Sequence, residues 1–407
     1  MDEKTLAKFA ELVLKIGVNI QKNQGLEIIC PTEKSEVAVA ICNQAYKLGA
    51  SIVNVRWEND DISRLNYLNA STETLTDIPK WFIESKNYLV KNNFCYIAIA
   101  AENPSAFKNV STDKLAAVAK EKSKRLKRFS ECVMANGIRW CVVSVPTYEW
   151  AKQVFPTAAD PMSELSTAIE KTMRLDYENP IAEWETHIKN LEKRAEFLNN
   201  KNFEYLYFKN NLGTNLKIGL AKNHVWLSAK ETAADGVDFI ANMPTEEVFT
   251  APHKNKIDGT VYSAMPLAYN GNIIDRFFIT FKKGKVIDFG AQTGYDVLKG
   301  IIDTDTGSNS LGEVALIGKN SPIAKSGILF FNTLFDENAS SHLALGKAYP
   351  TTVSNNKELS KSELKKLGVN DSTQHVDFMI GTDDLFVEGI CYDGTKITLL
   401  QDGEWVI

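Results

Sequence analysis

Histidine is scarce in this sequence, with five residues in 407. The familiar catalytic spacings are missing too. There is no H-E-x-x-H, the commonest helical zinc-protease signature, and no G-x-S-x-G, the nucleophile elbow of many serine hydrolases. No G-x-G-x-x-G follows any strand-like run, so no dinucleotide site is expected. The six cysteines (Cys30, Cys42, Cys95, Cys132, Cys141 and Cys391) form no C-x-x-C pair. Five of them lie in apolar runs, where cysteine serves as a small buried hydrophobe, so a cytoplasmic protein with reduced thiols is expected. No run of about 18 apolar residues exists, which excludes a transmembrane helix. The opening "MDEKTLAKFAELVLKIG" has neither an uninterrupted apolar core nor a small-residue cleavage site, so it does not read as a signal peptide. Basic excess is also absent. A net charge of −5 argues against a general nucleic-acid partner.

What is present is ordinary globular composition, 44% hydrophobic and 24% charged, over a length that calls for two domains. The first part alternates helix and strand. Residues Thr5 to Ile20 carry apolar groups at helical spacing, "GLEIICPTE" reads as a strand, and "SEVAVAICNQAYKLGA" as a helix from a capping Ser35 to a stop at Gly49. "SIVNVRWEN", "FCYIAIAAENP" and "IRWCVVSVP" read as further strands. Between the last two the pattern predicts one helix from Lys114 to Ala135, its "KEKSKRLKR" a solvated face. This rhythm predicts an α/β domain, residues 1–195, with an open, mostly parallel sheet.

After a helix ending near Asn200 the rhythm changes. "NLKIGLA" alternates, "RFFITFKKGKVIDFG" signals a hairpin at Lys283-Gly284, and "GICYDGTKITLLQDGEWVI" holds two Asp-Gly turns. Residues 196–407 therefore read as an α+β domain rich in antiparallel strands.

The rare polar groups gather in that second part. "STQHVDFMIGTDDL" places His375 and Asp377 two apart inside an apolar run, so in a strand they project from one face. "NMPTEEVFTAP" holds Glu246 and Glu247, and "SLGEVALIG" holds Glu313 alone among apolar residues. "ENASSHLALGKAYP" sets His342 and Tyr349 seven apart, the same face of a helix were Gly346 not between them. Singly, each has a structural explanation: an exposed strand edge for Glu313, a satisfied core histidine for His342, packing for Tyr349. Jointly, Glu247, Glu313 and Asp377 would be costly to bury unpaired, and no basic residue is interleaved with them. Two divalent cations would balance three carboxylates and a tyrosinate, and oxygen donors with imidazole suit zinc, cobalt or manganese. Two decoys fall away. The "DTG" at Asp305 occurs once, in a turn-like segment, and "DTDTGSNSLGEV" lacks the glycine and glutamate of a calcium loop.

The blocks "NMPTEEVFTAP", "DGTVYSAMPLAYNGNIID", "LGEVALIG", "LFFNTLFDENASSHLALGKAYP" and "QHVDFMIGT" together resemble the aminopeptidase T/S family, the thermophilic-type dinuclear metalloaminopeptidases. The first part resembles it only in length and rhythm. The resemblance implies metal ligands at Glu247, Glu313, His342, Tyr349, His375 and Asp377. It further implies peptide substrates, two divalent ions (zinc, cobalt, magnesium or manganese) and a cytoplasmic homodimer. In this reading a metal pair activates a shared water, and Glu246, beside a ligand, is the candidate general base. Two other classes stay open at this point: a metal-dependent amidohydrolase acting on non-peptide amides, and a non-catalytic metal- or peptide-binding protein.

Overall fold

A computed structural model describes residues 1–101, 106–107, 109–269 and 272–407. The chain folds as two compact units, Met1–Thr186 with Lys230–Pro244, and His187–Ala229 with Thr245–Ile407. The segment Lys230–Pro244 thus belongs with the first unit although it follows the start of the second.

In the first unit, β1 (Gly25–Pro31), β2 (Ile52–Glu58), β3 (Cys95–Ile99) and β4 (Trp140–Val143) lie in the order β2-β1-β3-β4. Residues Asn242–Met243 add a fifth strand beside β4, and every pairing is parallel. A strand covered on both faces must be apolar on both, and Leu26, Ile28 and Cys30 are fully buried with Ile29 nearly so. The third strand read from sequence ends at Ile99, and its residues 102–104 lie outside the described ones.

Three local readings differ from what forms. The first helix runs Glu3–Leu12 and continues as one π-helical turn, Val13–Gly17. Ser35 is the first helical residue and not a cap, because a 3₁₀ turn (Thr32–Lys34) leads straight into the helix. The predicted helix Lys114–Ala135 is two, Thr112–Arg125 and Lys127–Met134, broken where Leu126 leaves the helical region (φ −95°, ψ 12°). The basic run straddles that break, and its like charges give neither helix a reason to continue.

The second unit holds a nine-stranded sheet in which every pairing is antiparallel. The expected hairpin is there: Asn272–Lys282 returns through Lys283-Gly284, both at positive φ, into Lys285–Thr293. Both Asp-Gly turns also form, between Phe386–Cys391, Lys396–Gln401 and Glu404–Trp405. Residues 270–271, inside one of the family-like blocks, lie outside the described ones. A smaller sheet holds β5 (Val248–Thr250), β6 (Leu311–Leu316), β7 (His342–Gly346) and β8 (His375–Met379) in the order β5-β6-β7-β8, all antiparallel. One of its faces packs apolar residues inward, and Phe378 meets Phe277 of the large sheet at 5.7 Å between ring centroids. The other face carries the rare polar groups. Both the α/β part and the antiparallel part expected from the sequence are present.

Candidate metal centre

Strand register assembles the site. Glu313 on β6 stands opposite Ala344 on β7, which stands opposite Asp377 on β8. At Ala344 only a methyl group stands between the two acid-bearing positions. One row along, His342 sits between Ala315 and Met379, and His375 follows Asp377 at a strand spacing of two. Two glycines make this possible. Gly312 lies where β7 runs so close that a Cβ would stand 2.3 Å from the Lys347 carbonyl, and the register shift beside it aims Glu313. Gly346 turns the chain at φ +104°, where a Cβ would meet the Gln374 carbonyl at 2.3 Å. That turn is why His342 and Tyr349 share no helix: His342 lies on a strand, and Tyr349 follows in the loop, its ring 5.0 Å from that of His375.

The donor atoms form two clusters that share one residue. Oxygens and nitrogens of Glu247, Glu313 and His342 lie within 4.8 Å of one another, as do those of Glu313, His375 and Asp377. Glu313 serves both through different oxygens: Oε1 is 3.4 Å from His342 Nε2 and Oε2 is 3.8 Å from His375 Nε2. Glu247 Oε2 is 3.2 Å from His342 Nε2, and Asp377 Oδ1 is 3.2 Å from His375 Nε2. Among the described residues no lysine or arginine pairs with these acids, which leaves His342 and His375, or a bound ion, to balance them.

Both rings are held the same way. His342 Nδ1 is 3.3 Å from the Ser340 carbonyl, and His375 Nδ1 is 2.7 Å from the Lys347 carbonyl. A carbonyl only accepts, so each Nδ1 carries a proton, and each Nε2 faces carboxylate oxygens that it can meet only through a second proton or a bound cation. Lone pair facing anion is repulsive unless a positive charge stands between. The same conflict shows in Glu247 Oε2 and Asp377 Oδ1, which are buried and accept no hydrogen bond. A divalent cation in each cluster satisfies all of these atoms at once, and imidazole fixed through a backbone carbonyl is the usual second layer of such a site. The residues present therefore fit two cations.

The ionisation directions report the same crowding of anions. Burial raises the Glu313 carboxyl. Burial pulls the His375 imidazole down, but Asp377 and Glu313 outweigh it and push it up to about 10. Burial also pushes the Tyr349 phenol well above its ordinary value, and the charges of Glu313, Asp377, Glu337 and Glu247 add to that push. Only a cation among these carboxylates reverses the sign for Tyr349.

Glu246 takes a different place from its neighbour. Adjacent residues of an extended segment point to opposite sides, and while Glu247 faces His342, the Glu246 carboxylate lies 3.6 Å from His187 Nε2. Its backbone N–H donates to Asn338 Oδ1 at 2.8 Å. Among the described residues Glu246 belongs to neither donor cluster.

Sequence reading missed Glu337. Burial pushes its carboxyl well above the usual range, and the charges of Asp377 and Glu247 add to that. It opens a 3₁₀ turn, Glu337–Ala339, directly after the short helix Thr333–Asp336. Its neighbour Asp336 turns the other way, accepting the N–H groups of Phe330 and Asn332, with burial holding its carboxyl up to about 7. A pair of acids at the end of an apolar run was the available signal, but such a short segment shows no periodicity to say which acid faces the site.

The "DTG" aspartate is a structural hub, as a turn reading requires. Asp305 accepts bonds from Gly307 N, Ser308 N, Ser372 Oγ, Thr373 N and Thr373 Oγ1, and so anchors the segment leading into β8. These bonds outweigh partial burial and hold its carboxyl well below the usual range. A depressed folded-state pKa contributes stability that is complete above the unfolded value near 4 and fades as pH falls through the folded one. Asp305→Ala is therefore expected to lower Tm at pH 7 by several degrees, about 1–2 kcal/mol. The difference from wild type should narrow in melts near pH 3, and a gap that widens there contradicts the assignment.

The sequence matches the thermophilic metalloprotease (M29) family over residues 2–405. It is 41% identical over 405 residues to Aminopeptidase 2 of Geobacillus stearothermophilus, covering 99% of this chain and 98% of that one. To Aminopeptidase AmpS of Bacillus subtilis it is 39% identical, with 98% of each covered. The fold matches the structure of wild-type AmpT from Thermus thermophilus with a TM-score of 0.93 at 33% identity, over 100% of both chains.

Proposed function

The chain belongs to the thermophilic metalloprotease (M29) family and is a metal-dependent aminopeptidase, and we propose that Glu313 bridges two divalent ions in it. In this reading Glu247 and His342 hold one ion, His375 and Asp377 hold the other, and the Tyr349 phenol completes the set. The ions are zinc, cobalt, magnesium or manganese, all compatible with oxygen and imidazole donors. One observation carries the reading: two imidazoles, each with Nδ1 tied to a carbonyl, present Nε2 to opposite oxygens of one carboxylate.

Ions held by these residues would supply Lewis-acid chemistry, polarising a scissile carbonyl and lowering the pKa of a water. The chain's own residues do the rest. Ser340 and Lys347 fix the tautomers through their carbonyls, and Asn338 holds the Glu246–Glu247 segment in place through the Glu246 N–H. The water's proton goes to a carboxylate, and we assign that role to Glu337 in preference to Glu246. What supports the choice is that the Glu337–Ala339 turn packs against β8, the strand that carries His375 and Asp377, whereas Glu246 faces His187.

Metal analysis by mass spectrometry, run beside an aminopeptidase assay, tests this. The protein should carry about two ions per chain, lose activity by about 100-fold or more on chelation, and recover it when cobalt, zinc or magnesium is returned. Full activity in metal-free protein sinks the proposal. Peptides with an acetylated N-terminus should resist cleavage; equal rates on both kinds would favour a general amidohydrolase instead.

We also propose a cytoplasmic homodimer. The likeness to the family supports the dimer, and six free cysteines, three of them buried, support a reducing compartment. Among the described residues no helix is long and apolar enough to cross a membrane. A sedimentation mass of one chain overturns the dimer.

A further inference from the structure

The small sheet continues past the metal-binding rows, and its next row opens into a cavity. The register that pairs Glu313 with Ala344 and Asp377, then Ala315 with His342 and Met379, brings Ile317, Ser340 and Gly381 together one step further on. The pairing holds beyond the strand ends, since the N–H groups of Ile380 and Gly381 both donate to the Ser341 carbonyl. On the β5 side, Val248 faces Leu316, which sets Glu247 beside Ile317 in that same row. Residues two apart share a face, so Ile317, Ser340 and Gly381 lie on the face that carries the ligands, about 7 Å along the strands from His342.

All three residues line a recess of about 290 Å³. Met265, Ile323 and Ile328 supply more of its apolar wall, and Lys319, Thr382 and Asp383 supply a polar part. Ser340 belongs to both places at once, lining the recess while its carbonyl holds His342 Nδ1. The volume sits at the bottom of the range for whole ligands and suits a single side chain.

We propose that this recess receives the apolar side chain of the peptide's N-terminal residue, so that the enzyme selects aliphatic residues of leucine or methionine size. The proposal rests on the aminopeptidase reading. A peptide whose first carbonyl lies against Glu247 and His342 has its first side chain within one row of Ile317. Leucine buries three more carbons there than alanine does, and kcat/KM should favour leucyl over alanyl substrates by about 30-fold.

The test measures kcat/KM for a series of amino-acid anilides (Ala, Val, Leu, Met, Phe) with the metal-loaded enzyme and two variants. Ala324→Leu, on the short helix Pro322–Ser326 that lines the recess, fills it and should lower the Leu-to-Ala ratio by about tenfold. Ile328→Ala enlarges it and should raise the Phe-to-Leu ratio by about threefold or more. General damage to the fold lowers every substrate together and leaves both ratios where they were. Unchanged ratios in both variants, with the enzyme still cleaving the series, overturn the recess and leave the aminopeptidase standing. If wild type cleaves none of the anilides or the corresponding free peptides, both proposals fail.

Discussion

Glu313→Gln is expected to empty both metal positions together and to lower kcat/KM by about 1,000-fold or more. The amide keeps the shape of the side chain but removes its charge, and one of its two ends becomes an NH₂ that only donates. Each end of Glu313 faces a different imidazole, at 3.4 and 3.8 Å, so whichever end becomes the amide nitrogen, one cluster gains a donor where it needs an acceptor. The other cluster loses the shared negative charge. Ions in such sites supply several kcal/mol to the reaction, and about 4 kcal/mol is three orders of magnitude in rate. Metal content separates the alternatives. Loss of one ion with the other retained makes Glu313 a terminal ligand, and retention of both with near-normal turnover removes it from the site.

The charge conflict could be read only from Glu247, Glu313 and Asp377 together, because a lone acid in "SLGEVALIG" fits an exposed strand edge equally well. The strand reading of "HVDFM" also held, and spacing alone put His375 and Asp377 on one face. Register was beyond reach. Nothing in the sequence says that Ala344 stands between Glu313 and Asp377, yet that pairing brings the two acids into one row. The return of Lys230–Pro244 to the first unit was hidden for the same reason. The partner of Asn242–Met243 is Val142–Val143, one hundred residues earlier. Local pattern fixes which residues are extended; the choice of neighbour is made by packing between distant segments. His342 and Tyr349 show the converse, since a helical spacing of seven came from a strand, a glycine turn and a loop.

Glu337→Gln and Glu246→Ala are expected to behave differently, and the contrast assigns the proton. A general base must reach the water it deprotonates, and its loss costs about 100-fold to 10,000-fold with binding left in place. Glu337 opens a turn that packs against β8, the strand that carries His375 and Asp377. Glutamine in its place preserves volume and cannot take the proton. Both ions should remain, KM should change little, and kcat should fall within that range. Glu246 touches His187, and its backbone N–H bonds Asn338, a link that alanine retains. Glu246→Ala should therefore keep both ions and a kcat within about tenfold of wild type. Glu247→Ala, one residue on, should instead lose metal and regain part of its activity in excess metal. The two carboxylates exchange roles if Glu246→Ala, fully loaded with metal, falls 100-fold or more while Glu337→Gln does not. If neither variant slows the enzyme beyond tenfold, the proton passes through a ligand carboxylate, and Glu313 is the one common to both donor clusters.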